Sequence, residues 1–266
     1  MDRRCRCRNS TKRATYPPKP TNREAAMQHS IENLTVNDSP MELFTYLPDG
    51  DGPHPGLVVA MHIPIGHTGI ENDKFTLSVC ERYCDAGYAV ACPFIFHYWP
   101  KEEEMQVKRD EFRDDWVAAD CQAAFDWLAG HDAVDGERIG IVGHCWGGRV
   151  AWVSAVNNPN YKACTVFYGG RIKVAMGPNT PPPIELASQM PCSVFGLFGN
   201  DDQGPSPEDV GDYSAALKAA GIEHEFHGYD GAGHGFQDAY AEDRYNAEAS
   251  EDAWGKAIAY FDSKLK

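Results

Sequence analysis

The chain has 266 residues, 42% of them hydrophobic and 24% charged, with a formal net charge of −15 at pH 7. That length is enough to bury one large core as a single domain, and no apolar run approaches the roughly 20 residues a membrane helix needs. The charge is uneven: residues 1–26 hold eight Lys and Arg against Asp2 and Glu24, a net +6, which leaves −21 on the remainder. A body so acidic repels nucleic acid and anionic membranes, so neither is expected as a partner.

Taken in chain order, the basic segment 1–26 has no apolar stretch after Arg3-Arg4, and Pro17-Pro18-Lys19-Pro20 is an extended linker. It reads as a disordered leader on which the fold does not depend, with Met27 as an alternative start and residues 27–266 as one domain. Residues 31–36 and 41–47 read as two short strands closed by the turn at 48–52. The apolar run at 56–61 has the pattern of a strand buried on both faces. An irregular segment, 62–69, then leads into a helix over 72–86 and a strand at 88–92.

Residues 110–129 form a helix in which Phe112, Trp116, Ala119, Ala123 and Trp127 recur at helical spacing on one side. Strands at 138–142, 163–168, 192–198 and 223–229 alternate with helices at 147–156, 208–220 and 250–265. Such alternation means an α/β fold, a mostly parallel sheet covered by helices on both faces. Its chemistry belongs at the carboxyl ends of the strands.

Gly143-His144-Cys145-Trp146-Gly147-Gly148 stands at one such end. Small residues flanking a central nucleophile between strand and helix make a sharp elbow that exposes the attacking atom. Cys145 is that atom's residue, and the helix N-terminus behind it favours negative charge on sulfur. Asp202, in Phe198-Gly199-Asn200-Asp201-Asp202, is the favoured acid, with Asp201 as its competitor. His234, in Gly231-Ala232-Gly233-His234-Gly235-Phe236, is the base. The chain order nucleophile, acid, base matches an α/β-hydrolase fold. One oxyanion donor is the backbone N–H of Trp146. The other comes from His62-Ile63-Pro64-Ile65-Gly66, where Pro64 has no N–H and Ile63 or Ile65 must serve.

These motifs resemble the dienelactone hydrolase family (carboxymethylenebutenolidase-like proteins) over about residues 30–265. The resemblance rests on Ser39-Pro40-Met41, Gly52-Pro53-His54-Pro55-Gly56-Leu57-Val58-Val59, Ala86-Gly87-Tyr88, the cysteine elbow, Gly199-x-x-Asp202 before a proline-rich stretch, and the histidine loop. It implies a Cys-Asp-His triad, here Cys145, Asp202 and His234, that hydrolyses esters and lactones through an acyl-thioester. The family's loop glutamate is replaced by Ile63, so either Glu71 takes over its part or His234 alone manages the thiol. Where family members hold a substrate carboxylate with arginines, an ungapped reading finds Tyr98 and Asp238. A carboxylate-bearing dienelactone is therefore disfavoured.

His62, Glu71, Tyr98 and Trp99 are the expected pocket lining, suited to a neutral or aromatic ester or lactone. No metal or organic cofactor is called for. Nine cysteines, an odd number without metal-ligand spacing or signal peptide, favour reduced thiols and a cytoplasmic location. The protein is expected as a monomer or small homo-oligomer. Two alternatives are a non-catalytic small-ligand binder and a redox-sensing thiol protein in which Cys80 or Cys84 resolves oxidised Cys145.

Overall fold

A computed structural model describes residues 28–178 and 180–266; the expected leader and the alternative start at Met27 lie outside the described residues. The first two strands, β1 (Gln28–Val36) and β2 (Ser39–Leu47), pair as an antiparallel hairpin. It closes at Asn37-Asp38, with φ of 49° and 62°. Such left-handed pairs match the right-handed twist of the strands, and Asn and Asp tolerate them best after glycine. The expected turn at 48–52 instead carries the chain from β2 into β3 (His54–Ala60).

Five more strands follow: β4 (Ala89–Pro93), β5 (Val134–His144), β6 (Ala163–Phe167), β7 (Ser193–Gly199) and β8 (His224–Tyr229). The sheet runs β1-β2-β4-β3-β5-β6-β7-β8, antiparallel through β1, β2 and β4 and parallel from β4 to β8. Every residue of β4 and β6 is buried, which is why both read as unbroken apolar runs.

Helices cover both faces. On β5, Gly140 lies against Phe261 and Leu265 of α7 (Ala247–Leu265), while its neighbour Ile139 lies on the other face with Leu128 of α4 (Asp114–Ala129) around Gly56. The first face also holds α2 (Lys74–Asp85), whose Tyr83 ring meets Trp254 of α7 at 4.6 Å. Beside α4 lies α5 (Trp146–Asn157), whose Trp152 reaches Tyr213 of α6 (Pro207–Ala219).

Two short helices escape the sequence pattern: α1 (Ile65–Thr68), inside the segment read as irregular, and α3 (Met105–Asp110). The face of α4 also differs from expectation. Its buried stripe is Val117, Cys121, Ala124, Phe125 and Leu128. Trp116 instead stacks on Tyr98, and Trp127 tilts against His131. Tryptophans weighted the pattern toward their own side, but their wide rings settle at the margin of the core, where the smaller residues pack most closely.

Candidate active site

Strand β5 ends at His144, and the next residue, Cys145, takes φ 58° and ψ −120°. An L-residue adopts that conformation only under constraint. The constraint is close packing of backbone on backbone. A Cβ on Gly143 would stand 1.8 Å from the Gly147 carbonyl oxygen, and one on Gly147 would stand 2.1 Å from that of Ala60. The elbow is therefore open only to glycine at both positions. The Cys145 N–H donates to the Phe167 carbonyl at 3.0 Å, which fixes the turn to β6. Its side chain begins at the N-terminus of α5, whose free N–H groups stabilise negative charge developing on sulfur.

Asp202 and His234 meet because their loops are tied together. Beyond β7, Asn200 donates through its side chain to Asp230 at 2.6 Å, and the Asp201 N–H donates to the Ala232 carbonyl. Across that joint, His234 Nδ1 lies 2.8 Å from Asp202 Oδ2 and Nε2 lies 2.9 Å from Cys145 Sγ. Asp202 is buried, with its other oxygen taking the Gly204 N–H at 2.8 Å, whereas Asp201 is exposed. The Tyr168 ring meets the imidazole edge-on at 5.3 Å. Burial pulls His234 down, but Asp202 and Cys145 outweigh it and hold its pKa up at about 10.

These groups open on a cavity of about 210 Å³ lined by Ile63, Arg109, Cys145, Trp146, Gly170, Arg171, Gly204 and His234. A larger groove of about 410 Å³ along β8 and α7 contains no part of this constellation. Ile63 reaches the cavity and Ile65 does not, being wholly buried at the start of α1.

None of the four expected lining residues lies there. His62 turns its Nε2 to Asp73 at 3.0 Å. Glu71 pairs with Lys101 at 2.7 Å, so its carboxylate is committed away from Cys145. The Tyr98 hydroxyl donates to Asp120 at 2.8 Å, and the Trp99 indole donates to Glu111. Leaving a strand at its carboxyl end put this segment near the site, but the buried Asp120 of α4 holds His97 and Tyr98, and Glu111 holds Trp99. Asp238, the second position where the family's arginines were expected, caps its own turn by accepting from the Tyr240 N–H.

Arg109 and Arg171 replace them, and neither makes an ion pair among the described residues. Arg171 lies over the Trp146 ring at 5.9 Å. Its backbone, at φ 60°, is held by Arg149, which donates to the Arg171 and Val174 carbonyls while forked onto Asp114 at 3.0 and 2.6 Å. Arg171 follows Gly169-Gly170 at the end of β6, so the strand-end rule applied to every strand would have found it. Arg109 had no signal in the chain, because α3 reaches the site only through tertiary packing. Cys80 and Cys84 are buried in α2, and burial pushes the Cys84 thiol up to about 12.

The Dienelactone hydrolase family profile matches residues 41–265, a span that includes Cys145, Asp202 and His234. The "Putative carboxymethylenebutenolidase" of Methylorubrum extorquens is 28% identical over 235 residues, covering 86% of this chain and 78% of its own. A protein of the same name from Escherichia coli O157:H7 is 30% identical over 222 residues, 79% and 78% of the two chains. The solved "Putative Dienelactone Hydrolase" of Klebsiella pneumoniae superimposes with a TM-score of 0.78 at 27% identity, over 89% of this chain and 98% of that one.

Proposed function

Because the chain belongs to the dienelactone hydrolase family, and with it to the hydrolases of esters and lactones, we propose that it cleaves its substrate through an acyl-thioester on Cys145. The observation that carries this is the unbroken line from Asp202 through His234 to Cys145 Sγ, with contacts of 2.8 and 2.9 Å. The raised imidazole favours taking up the thiol proton at Nε2 as sulfur attacks. Sulfur attacks the carbonyl carbon, and the oxyanion settles between the N–H groups of Trp146 and Ile63. As the C–O bond breaks, Nε2 gives its proton to the leaving alkoxide. Water then loses a proton to neutral His234 and attacks the thioester, expelling the thiolate and releasing the acid. Asp202 keeps Nδ1–H directed and stabilises each imidazolium.

The cavity's charge supports an anionic substrate over the neutral one expected from the aromatic segment. Two guanidinium groups without an ion pair among the described residues, beside Cys145, suit an ester or lactone that carries an anionic group. Unpaired thiols at the seven described cysteines suit a reducing, cytoplasmic setting. No helix among the described residues is long and apolar enough to cross a membrane.

The test uses p-nitrophenyl acetate and the mono-p-nitrophenyl ester of adipic acid. Turnover of both should vanish in Cys145→Ala and His234→Ala with the fold intact by circular dichroism. Arg109→Ala and Arg171→Ala should raise KM for the half-ester about tenfold while leaving the acetate unchanged. A Cys145→Ala variant as fast as wild type would overturn the thiol mechanism.

A further inference from the structure

Lys108 is wholly buried, a rare place for an ammonium group and a costly one. It has no carboxylate within ion-pair distance among the described residues. Its Nζ donates instead to two backbone carbonyls, Gly66 at 2.6 Å and Lys101 at 3.0 Å. Both lie outside α3, the helix that carries it. Burial pulls Lys108 down from the ordinary lysine value, and only the more distant Glu103 and Glu102 oppose this. A methionine of similar volume would pack there without that cost, but would take this donor from the buried Gly66 carbonyl and the half-buried Lys101 carbonyl.

The Gly66 carbonyl is a consequential place to anchor. The Gly66 N–H donates to the Ile63 carbonyl at 2.9 Å and that of His67 to Pro64 at 3.0 Å, so residues 63–67 move as one turn. On its other side Gly66 is wedged: a Cβ there would stand 3.0 Å from the Phe96 ring and 3.1 Å from Met105 Sδ. Ile63, at the head of the turn, is its one residue lining the Cys145 cavity. The next residue after Lys108 is Arg109, on the same cavity wall.

We propose that Lys108 is a positioning residue, a buried staple that holds the turn 63–67 against α3 so that the Ile63 N–H stays aimed at the oxyanion. The inference rests on the thiol-hydrolase reading above. A donor displaced by about 1 Å loses most of its effect on a transition state, because its value lies in preorganisation. Lys101, the second carbonyl owner, ties the 97–104 segment to the same nitrogen, which gives α3 a fixed seat.

The test compares full-length wild type with Lys108→Met on neutral p-nitrophenyl acetate, so that Arg109 plays no part. Two further readouts separate oxyanion support from general damage. A methyl trifluoromethyl ketone, which thiolate converts to a tetrahedral oxyanion, reports the donors. Alkylation of Cys145 by iodoacetamide, which forms no oxyanion, reports the nucleophile alone. In Lys108→Met, kcat/KM should fall about tenfold or more and the ketone's Ki should weaken by the same factor, while alkylation stays within about twofold.

Unchanged kcat/KM and Ki in a folded variant would sink the proposal, as would a parallel loss of alkylation. If Lys108→Met does not fold by circular dichroism, Lys108→Gln, whose shorter side chain cannot span both carbonyls, is read by the same criteria. A wild type without Cys145-dependent turnover refutes the thiol-hydrolase reading itself. An active wild type with an equally active Lys108→Met refutes only the staple.

Discussion

The imidazole of His234 sits between a carboxylate and a sulfur, and those two partners keep its proton in place to about pH 10 against the burial that would remove it. Between the unfolded value near 6.5 and about 10, the folded imidazole holds a proton that the unfolded one gives up, so this group's own contribution to stability falls as pH rises across that window. The contribution is complete below about pH 6.5 and gone above about pH 10, with a third of the side chain still reaching solvent to temper it. NMR titration of the ring should give a midpoint near 10 in wild type and a lower one in both Asp202→Asn and Cys145→Ala. A midpoint unmoved in both variants would mean that neither partner holds the proton. Cys145 and His234 were legible as residues because glycines flank each of them in a strand-end loop. Asp202 and Asp201 were not separable by composition, since they share one turn. Only the turn's orientation buries Asp202 beside the imidazole and leaves Asp201 exposed.

Among the elements, α5 does more than present its N-terminus to Cys145. From its first turn Arg149 crosses to Asp114 at the start of α4, both side chains buried, and reaches two carbonyls of the loop after β6. Burial pushes Asp114 up while Arg149 pulls it down, so the pair is stable only as a pair. Arg149→Leu should cost about 3–5 kcal/mol in urea denaturation and raise KM for the anionic half-ester, because the Arg171 backbone loses its anchor. Adding Asp114→Asn should recover part of the stability but not the KM. A stability loss no greater in the single variant than in the double would show that no stranded charge is involved. The long elements were predictable from period alone. Helix α3 was not, being six residues long and held in place by Lys108 and by packing against α1, contacts that no local pattern encodes.

Over the whole molecule, the eight-stranded sheet begins at Gln28, and its described core runs from Val36 to Leu265. A chain starting at Met27 is accordingly expected to keep the wild-type melting temperature and p-nitrophenyl acetate turnover; a lower melting temperature would assign residues 1–26 a part in folding. The amino-acid sequence by itself determined the α/β architecture, the parallel strand runs and the elbow, because hydrophobic period and glycine placement act within a few residues of where they are read. It also determined which residue types meet at the strand ends. What lines the cavity was decided only in three dimensions. Tyr98, Trp99 and Glu71 were drawn away by partners distant in the chain, and Arg109 and Arg171 were brought in by a helix and a loop whose anchors are Lys108 and Arg149. A side chain's direction is settled by whichever buried partner satisfies it, and such partners become neighbours only once the chain has folded.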